Sequence, residues 1–246
     1  MGKFPELAQI SLWHNWKLKE NILFEKSDII LTPNLDEGKI ISQLNKAYRV
    51  EVILPFFYNK NAVPVKNFEQ RKSILFIGGF NHLPNIDAVQ WFVNEVWPIV
   101  IKQIPDATFF LAGSNPTEEI LSLESNSIKI LGYQTEKELE DLYTKIKIAV
   151  IPLRYGAGVK GKTIEAMYNG VPIVSTSFGL EGIPPFDETF LPKCDEAVSF
   201  AHQIITLYND NQKLEILSEY ETNYINKFFT NDIAKKTMSR LLEIDN

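Results

Sequence analysis

Glycines at 156, 158 and 161 alternate with lysines at 160 and 162 in one short stretch, Gly156-Ala-Gly-Val-Lys-Gly-Lys162. That mixture suits anion binding: glycines let the backbone turn its amides toward one point, and each ammonium adds a full positive charge. Arg154 stands just upstream, and Thr163–Tyr168 just downstream is helix-prone. A helix starting near Lys162 directs its free N-terminal amides, and the positive end of its dipole, at the same anion. Glu165 falls about one turn into that helix, placed to accept hydrogen bonds from hydroxyls carried by the anion. Lys160, Lys162 and Arg154 can supply positive charge for a diphosphate.

The same residues fit two other phosphate-binding patterns. Gly156 to Thr163 matches G-x-x-x-x-G-K-[ST], in which Lys162 would reach a γ-phosphate and Thr163 a magnesium ion. Against this, Leu153, Arg154 and Tyr155 separate the strand end at Pro152 from the first glycine. The later apolar run Val171–Ser175 ends in Thr176 and Ser177 rather than in a metal-binding aspartate. Gly156, Gly158 and Gly161 also spell G-x-G-x-x-G, with Glu181 at a suitable distance for a dinucleotide ribose. That fingerprint belongs after the first strand of its domain, whereas here three strands precede the one that leads into it. The chain has no G-x-S-x-G elbow, no evident metal-ligand cluster and no D-x-D.

Positioning these residues requires a parallel sheet. From Ser73 onward, short branched apolar runs alternate with helical patterns: strands at Ile74–Ile77, Thr108–Ala112, Ile128–Leu131 and Ile148–Ile151. Gly78-Gly79 ends the first, Gly113 the second and Gly132-Tyr133 the third, so glycine recurs at the carboxyl edge where open α/β sheets bind ligands. Gly78 and Gly79 can let the backbone approach phosphates closely. Between strands, Asn85–Gln103 carries Ile86, Val89, Val93, Val96 and Val100 at alternating three- and four-residue spacing, and Thr135 to Glu138 reads as a capping box. Helices are predicted at 117–123, 196–207, 212–220 and 231–244.

Upstream, a helix over 6–24, strands at 29–32 and 50–54, and a helix over 35–47 amount to about one and a half α/β units. The predicted organisation is therefore residues 1–58 as the end of a truncated Rossmann-like domain, 59–72 as a linker and 73–227 as a Rossmann-like domain with helices on both faces. Residues 228–246 form a C-terminal helix, a candidate to pack back on the N-terminal part. The length of 246 residues is ample for a core. A net charge of −6 argues against nucleic acid as a partner. A single cysteine, Cys194, allows no internal disulfide, and no signal peptide or membrane-spanning run is evident, so the cytoplasm is the expected compartment.

Taken together, Gly156, Gly158, Lys160, Lys162, Glu165-Ala166-Met167, Gly170 and Pro172-Ile173-Val174 resemble the nucleotide-sugar site of group 1 (family 4) glycosyltransferases of the GT-B fold. ILFIGGFNHLPNIDAVQWF, ATFFLAGS, IKILGY and STSFGLEGI resemble that family's other units, in order, across about Ser73–Ile183. The resemblance implies transfer of a sugar, of hexosyl type, from a nucleotide diphosphate sugar to a glycan, lipid-linked or small-molecule acceptor. It implies retention of configuration and no metal or other cofactor. It also implies a place in cell-surface polysaccharide biosynthesis, with the full-length protein at the inner face of a membrane. Lys162, Arg154 and Glu165 are the implied catalytic residues. Gly78, Gly79, Gly132, Tyr133, Gly156, Gly158, Lys160, Lys162 and Glu165 are the implied donor-binding residues, with Glu165 on the ribose and Leu131-Gly132-Tyr133 beside the base. The family often carries a donor-sugar glutamate eight residues before Glu165; Ala157 stands there instead. Because the acceptor half of such enzymes is N-terminal, a missing domain or partner subunit is expected. The alternative is a non-catalytic sugar-nucleotide-binding module of an assembly.

Overall fold

The computed structural model describes residues 7–242, with side chains from residue 12 onward. The chain falls into two compact units, Met1–Leu54 and Pro55–Asn246. In the first, helix α1 (Leu7–Lys26) is followed by a β-α-β unit of β1 (Ile30–Thr32), α2 (Leu35–Leu44) and β2 (Val50–Val52). The two strands are parallel, Ile30 opposite Val50, and Asn34 caps α2 by accepting from the Glu37 amide at 2.8 Å. Gly38 lets α2 lie close on the sheet, since a Cβ there would stand 2.9 Å from Val52 Cγ2. On α1, Trp13 and Trp16 are both more than half exposed.

The second unit carries a five-stranded parallel sheet: β3 (Ser73–Ile77), β4 (Thr108–Ala112), β5 (Ile128–Gly132), β6 (Ile146–Ile151) and β7 (Ile173–Ser175). The spatial order is β5-β4-β3-β6-β7, so the chain reverses direction across the sheet between β3 and β6. This is the Rossmann-like arrangement, and the β3/β6 boundary is its topological switch point. Crossovers run through α3 (Leu83–Trp91) and α4 (Trp97–Gln103), α5 (Glu118–Leu121), α6 (Glu136–Tyr143) and α7 (Gly161–Tyr168). Three further helices follow: α8 (Ala197–Tyr208), α9 (Asn211–Phe228) and α10 (Asn231–Leu241). Right-handed crossovers set α3, α4 and α5 on one face of the sheet and α6 and α7 on the other. Helix α8 packs with α4, β6 and β7, while α9 packs with α7.

The core of the first face is aromatic. Phe92 stacks at a tilt on Phe109 with centroids 4.5 Å apart, and Trp91, Trp97 and Phe200 close around them. The helix predicted over 85–103 contains a π-helical turn, Phe92–Val96, separating α3 from α4. Pro98 has no amide to continue the ladder, and the Trp97 amide reaches back five residues to the Phe92 carbonyl. Within and beyond this turn Phe92, Val96 and Val100 are fully buried, while Val93, like Ile86 upstream, is only partly buried.

Residues 59–72 do not hang as a free tether. Asn226 of α9 bonds both backbone groups of Ala62, Ser218 Oγ accepts from the Val65 amide at 2.8 Å, and Phe68 is fully buried. Helix α9 is longer than predicted because its polar residues face inward to satisfy backbone groups. Glu221, 0% exposed, accepts from the Ile173 amide of edge strand β7 at 3.0 Å.

Candidate functional site

The glycine- and lysine-rich loop leaves β6 at the switch point and returns as α7. Its start is fixed by buried Pro152 and Leu153, whose carbonyl accepts from the Thr176 hydroxyl. Gly156 and Gly158 adopt φ of +126° and +77°, conformations that side-chain-bearing residues rarely take. Lys160 occupies the N-cap of α7 but its side chain does not cap it, so the first-turn amides keep no side-chain acceptor. The Phe56 ring packs over Gly161, where a Cβ would come within 2.9 Å of Cζ. Opposite, β3 ends in the Gly78-Gly79 turn before α3.

Lys162 projects from the first turn of α7 across the switch point to that turn. Its ammonium lies 4.1 Å from the centre of the Phe76 ring on β3 and donates to Asn85 Oδ1 at 2.6 Å. The residue is only partly buried, yet its ammonium is enclosed by protein. Burial pushes its pKa down to about 7, and the Lys160 charge adds to the shift. Gly78 leaves the room for this contact: a Cβ there would stand 2.7 Å from Lys162 Nζ and 2.8 Å from the Asn85 amide carbon. The space expected to admit phosphate at Gly78 is thus occupied by these two polar ends. Gly79 stays open except toward Ser114 Oγ, 3.3 Å from a built Cβ.

The other expected cations are already engaged. Lys160 Nζ donates to the Gly158 carbonyl at 2.5 Å and to Glu181 Oε2 at 3.0 Å. Arg154 forms a two-pronged pair with Asp87 of α3, Nε to Oδ2 at 2.9 Å, and Asp87 holds its guanidinium firmly charged. Arg154 is therefore a strut between the loop and α3 in this structure rather than a free cation beside Lys162. Among the described residues no carboxylate pairs with Lys162.

Glu165, one turn further along α7, borders a cavity of about 170 Å³ with Tyr58, Tyr143 and Tyr168. Burial raises its carboxyl above the usual range. Tyr58 stacks flat on Tyr168 at 3.6 Å, and the buried Tyr143 hydroxyl has no hydrogen-bond partner among the described residues. Gly132, with φ +68°, ends β5, two strands from β3, and its carbonyl accepts from the Gly113 amide at 2.8 Å. At a strand spacing of about 4.8 Å, that places Gly132-Tyr133 roughly 10 Å from Gly78 along the same edge. Tyr133 is 71% exposed there, and Ala157 is exposed on the loop.

Two competing patterns lose their key residues. Thr163, 0% exposed, donates to the Gly179 carbonyl at 2.8 Å and does not face a magnesium site. Glu181 belongs to Lys160, and the loop follows the fourth strand of the unit, not the first. Among the described residues no group of three His, Cys, Asp or Glu side chains could hold a metal ion. Asn85 is not singled out by the sequence, and Glu181 enters there only as the ribose carboxylate of the dinucleotide pattern. Asn85 gave one signal, a polar residue directly after the helix-starting Pro84; Glu181 gave none that separated pairing from ligand binding.

Residues 71–210 match the family described as glycosyl transferases group 1. An uncharacterised 44.6 kDa protein in the cps region of Klebsiella pneumoniae is 29% identical over 201 residues, 79% of this chain and 50% of that protein. The chain thus spans about half the length of that curated relative. Among solved structures, S. aureus TarM, complexed with UDP, Fondaparinux and alpha-GlcNAc-glycerol, aligns with TM-score 0.69 at 18% identity, over 87% of this chain and 43% of TarM. Sucrose-phosphate synthase from Thermosynechococcus elongatus aligns at 0.68 and 18% identity, over 91% and 60%. Anabaena HepE with UDP and glucose aligns at 0.68 and 15% identity, over 94% and 67%. At such identities these likenesses bear on the fold.

Proposed function

The chain belongs to the group 1 glycosyltransferases, and from that premise we propose that its second unit binds the donor of a glycosyl transfer, a nucleotide diphosphate sugar, at the β3/β6 switch point. The observation that carries this reading is the Lys162 ammonium, held beside Gly78-Gly79 at the switch point with no carboxylate among the described residues paired to it. An anion there also meets the uncapped first turn of α7. From the diphosphate, the nucleoside extends along the sheet edge, with Glu165 on the ribose and Gly132-Tyr133 beside the base. In transfer, the leaving diphosphate is stabilised by Lys162 and the α7 amides, with Lys160 joining once it exchanges Glu181 for phosphate. Arg154 acts through its Asp87 strut, keeping the loop in place.

Retention of configuration, hexosyl transfer and independence of metal belong to the same proposal. Relatives complexed with UDP make uridine the first base to test, and a relative in a cps region supports a role in cell-surface polysaccharide synthesis. The acceptor is a glycan, a lipid-linked sugar or a small molecule, bound by a further domain or partner. In favour of that division, the first unit has only two paired strands among its described residues and leaves Trp13, Trp16 and Leu23 exposed. A parallel pair of this size is not stable without covering layers. The described helices include none long and apolar enough to cross a membrane. A non-catalytic binding module shares the same donor site.

Thermal unfolding with a panel of uridine, guanosine and adenosine diphosphate sugars tests the reading. At a hundredfold excess over Kd a bound ligand adds about 2.7 kcal/mol. For a chain of this size that raises Tm by about 5–10 °C. At least one donor should do so, and Lys162→Met should remove the effect. No shift with any donor refutes the proposal.

A further inference from the structure

We propose that Asn85 is the positioning residue of the site: its side-chain amide holds the Lys162 ammonium against the Gly78-Gly79 turn while leaving that ammonium's charge uncompensated. The proposal rests on the reading of Lys162 as the diphosphate-binding cation.

The amide works at both ends. Oδ1 accepts from Lys162 Nζ at 2.6 Å, and Nδ2 donates to the Gly79 carbonyl at 2.8 Å. Its orientation is forced, because an ammonium can only donate and a carbonyl can only accept. Asn85 sits near the start of α3, is 6% exposed, and its backbone amide is itself held by the His82 carbonyl. The amide therefore links three elements at the switch point: α3, the turn after β3, and Lys162 on α7. Gly78 completes the arrangement, since any side chain there would collide with both partners.

Charge is what distinguishes this contact from its neighbours. Arg154 is neutralised by Asp87, and Lys160 by Glu181. Lys162 is instead met by a neutral amide and by the face of the Phe76 ring, with Lys160 the nearby charge that acts on it. Both neutral partners orient the ammonium without cancelling it. Aspartate at 85 could accept from Lys162, but it could not donate to the Gly79 carbonyl and would neutralise the cation. Leucine would fill the volume and do neither.

The test uses the full chain with two readouts. NMR titration of the Lys162 side chain in ligand-free protein reports the holding directly. Calorimetry with inorganic pyrophosphate and with UDP reports its consequence. Asn85→Asp should move the Lys162 titration upward and weaken pyrophosphate binding. Asn85→Leu should move it downward and weaken pyrophosphate by about tenfold to a hundredfold, the usual worth of a hydrogen bond to a charged group. Because Asn85 acts through Lys162, the same change in a Lys162→Met background should cost less than twofold. An equal loss in both backgrounds overturns the proposal, as does a Lys162 titration that neither variant moves. If Asn85→Leu does not fold, the isosteric Asn85→Asp titration decides alone. Failure of the unaltered chain to bind any diphosphate removes the donor reading. Binding that Asn85→Leu leaves within twofold removes only the role of Asn85.

Discussion

Raising the pH should weaken diphosphate binding while making the ligand-free chain more stable, and both effects trace to Lys162. Its pKa stands at about 7 in the free protein because burial and the Lys160 charge disfavour the ammonium. An unperturbed lysine titrates near 10.4. In the proposed binding mode the diphosphate requires the protonated form and restores its affinity for the proton. With a pKa of about 7 the protonated fraction falls steeply between pH 7 and pH 9, so affinity should fall by about tenfold to a hundredfold across that interval, about 1.4–2.7 kcal/mol. At pH 8 nearly one proton should be taken up per ligand bound. Calorimetry in two buffers of different ionisation enthalpy measures that uptake directly. Stability moves in the opposite sense. Between pH 7 and about 10.4 the unfolded lysine binds more protons than the folded one, so unfolding free energy rises with pH by at most about 1.4 kcal/mol per unit. Other groups titrate in the same range, so the quantity to compare is the difference between the unaltered chain and Lys162→Met. No proton uptake at pH 8, or the same affinity slope in Lys162→Met, would refute the reasoning.

Glu165→Ala should weaken a nucleoside diphosphate and leave inorganic pyrophosphate within about twofold, since its proposed contact is with ribose hydroxyls; equal losses for both ligands, by calorimetry, would contradict that role. Glu221 is fully buried with Oε2 unpartnered, and burial raises its carboxyl well above the ordinary range. A carboxyl raised by folding favours the fold below its unfolded value near 4.3 and loses that advantage as pH rises. Glu221→Gln should therefore be more stable at pH 8, by about 1 kcal/mol, and show a flatter stability profile above pH 5 in urea titrations. A Cβ on Gly113 would lie 1.9 Å from the Gly78 carbonyl oxygen, so Gly113→Ala should cost about 3 kcal/mol and disturb the turn that carries the site. A loss under 1 kcal/mol in the same titrations would show that the β3 and β4 ends separate easily.

Much of the second unit was legible because its signals are local. Branched apolar runs stopped by Gly78, Gly113 and Gly132 are strands, and the Thr135/Glu138 capping box forms as spelled, with Glu138 accepting from the Thr135 amide at 2.8 Å. What escaped depends on partners distant in sequence. The π-helical turn before Pro98, where Phe92 is buried and Val93 only partly so, is not revealed by a regular spacing of valines. Ser218, Glu221 and Asn226 look like the surface of a helix, yet they are turned inward by backbone groups of 62, 65, 170 and 173. In the site, the glycines and lysines marked the loop, but Arg154 pairs with Asp87 across 67 positions and Lys162 with Asn85 across 77. A basic residue's sequence says that it carries charge; only the fold says whether that charge is already spent.

The central claim is that a nucleoside diphosphate binds at the switch point through Lys162. Calorimetric titration of the chain with UDP, GDP and ADP, each with and without magnesium, tests it most directly. The account predicts that at least one binds without magnesium, and that Lys162→Met abolishes the binding. Absence of binding by all three, or binding that requires magnesium and survives Lys162→Met, would contradict it.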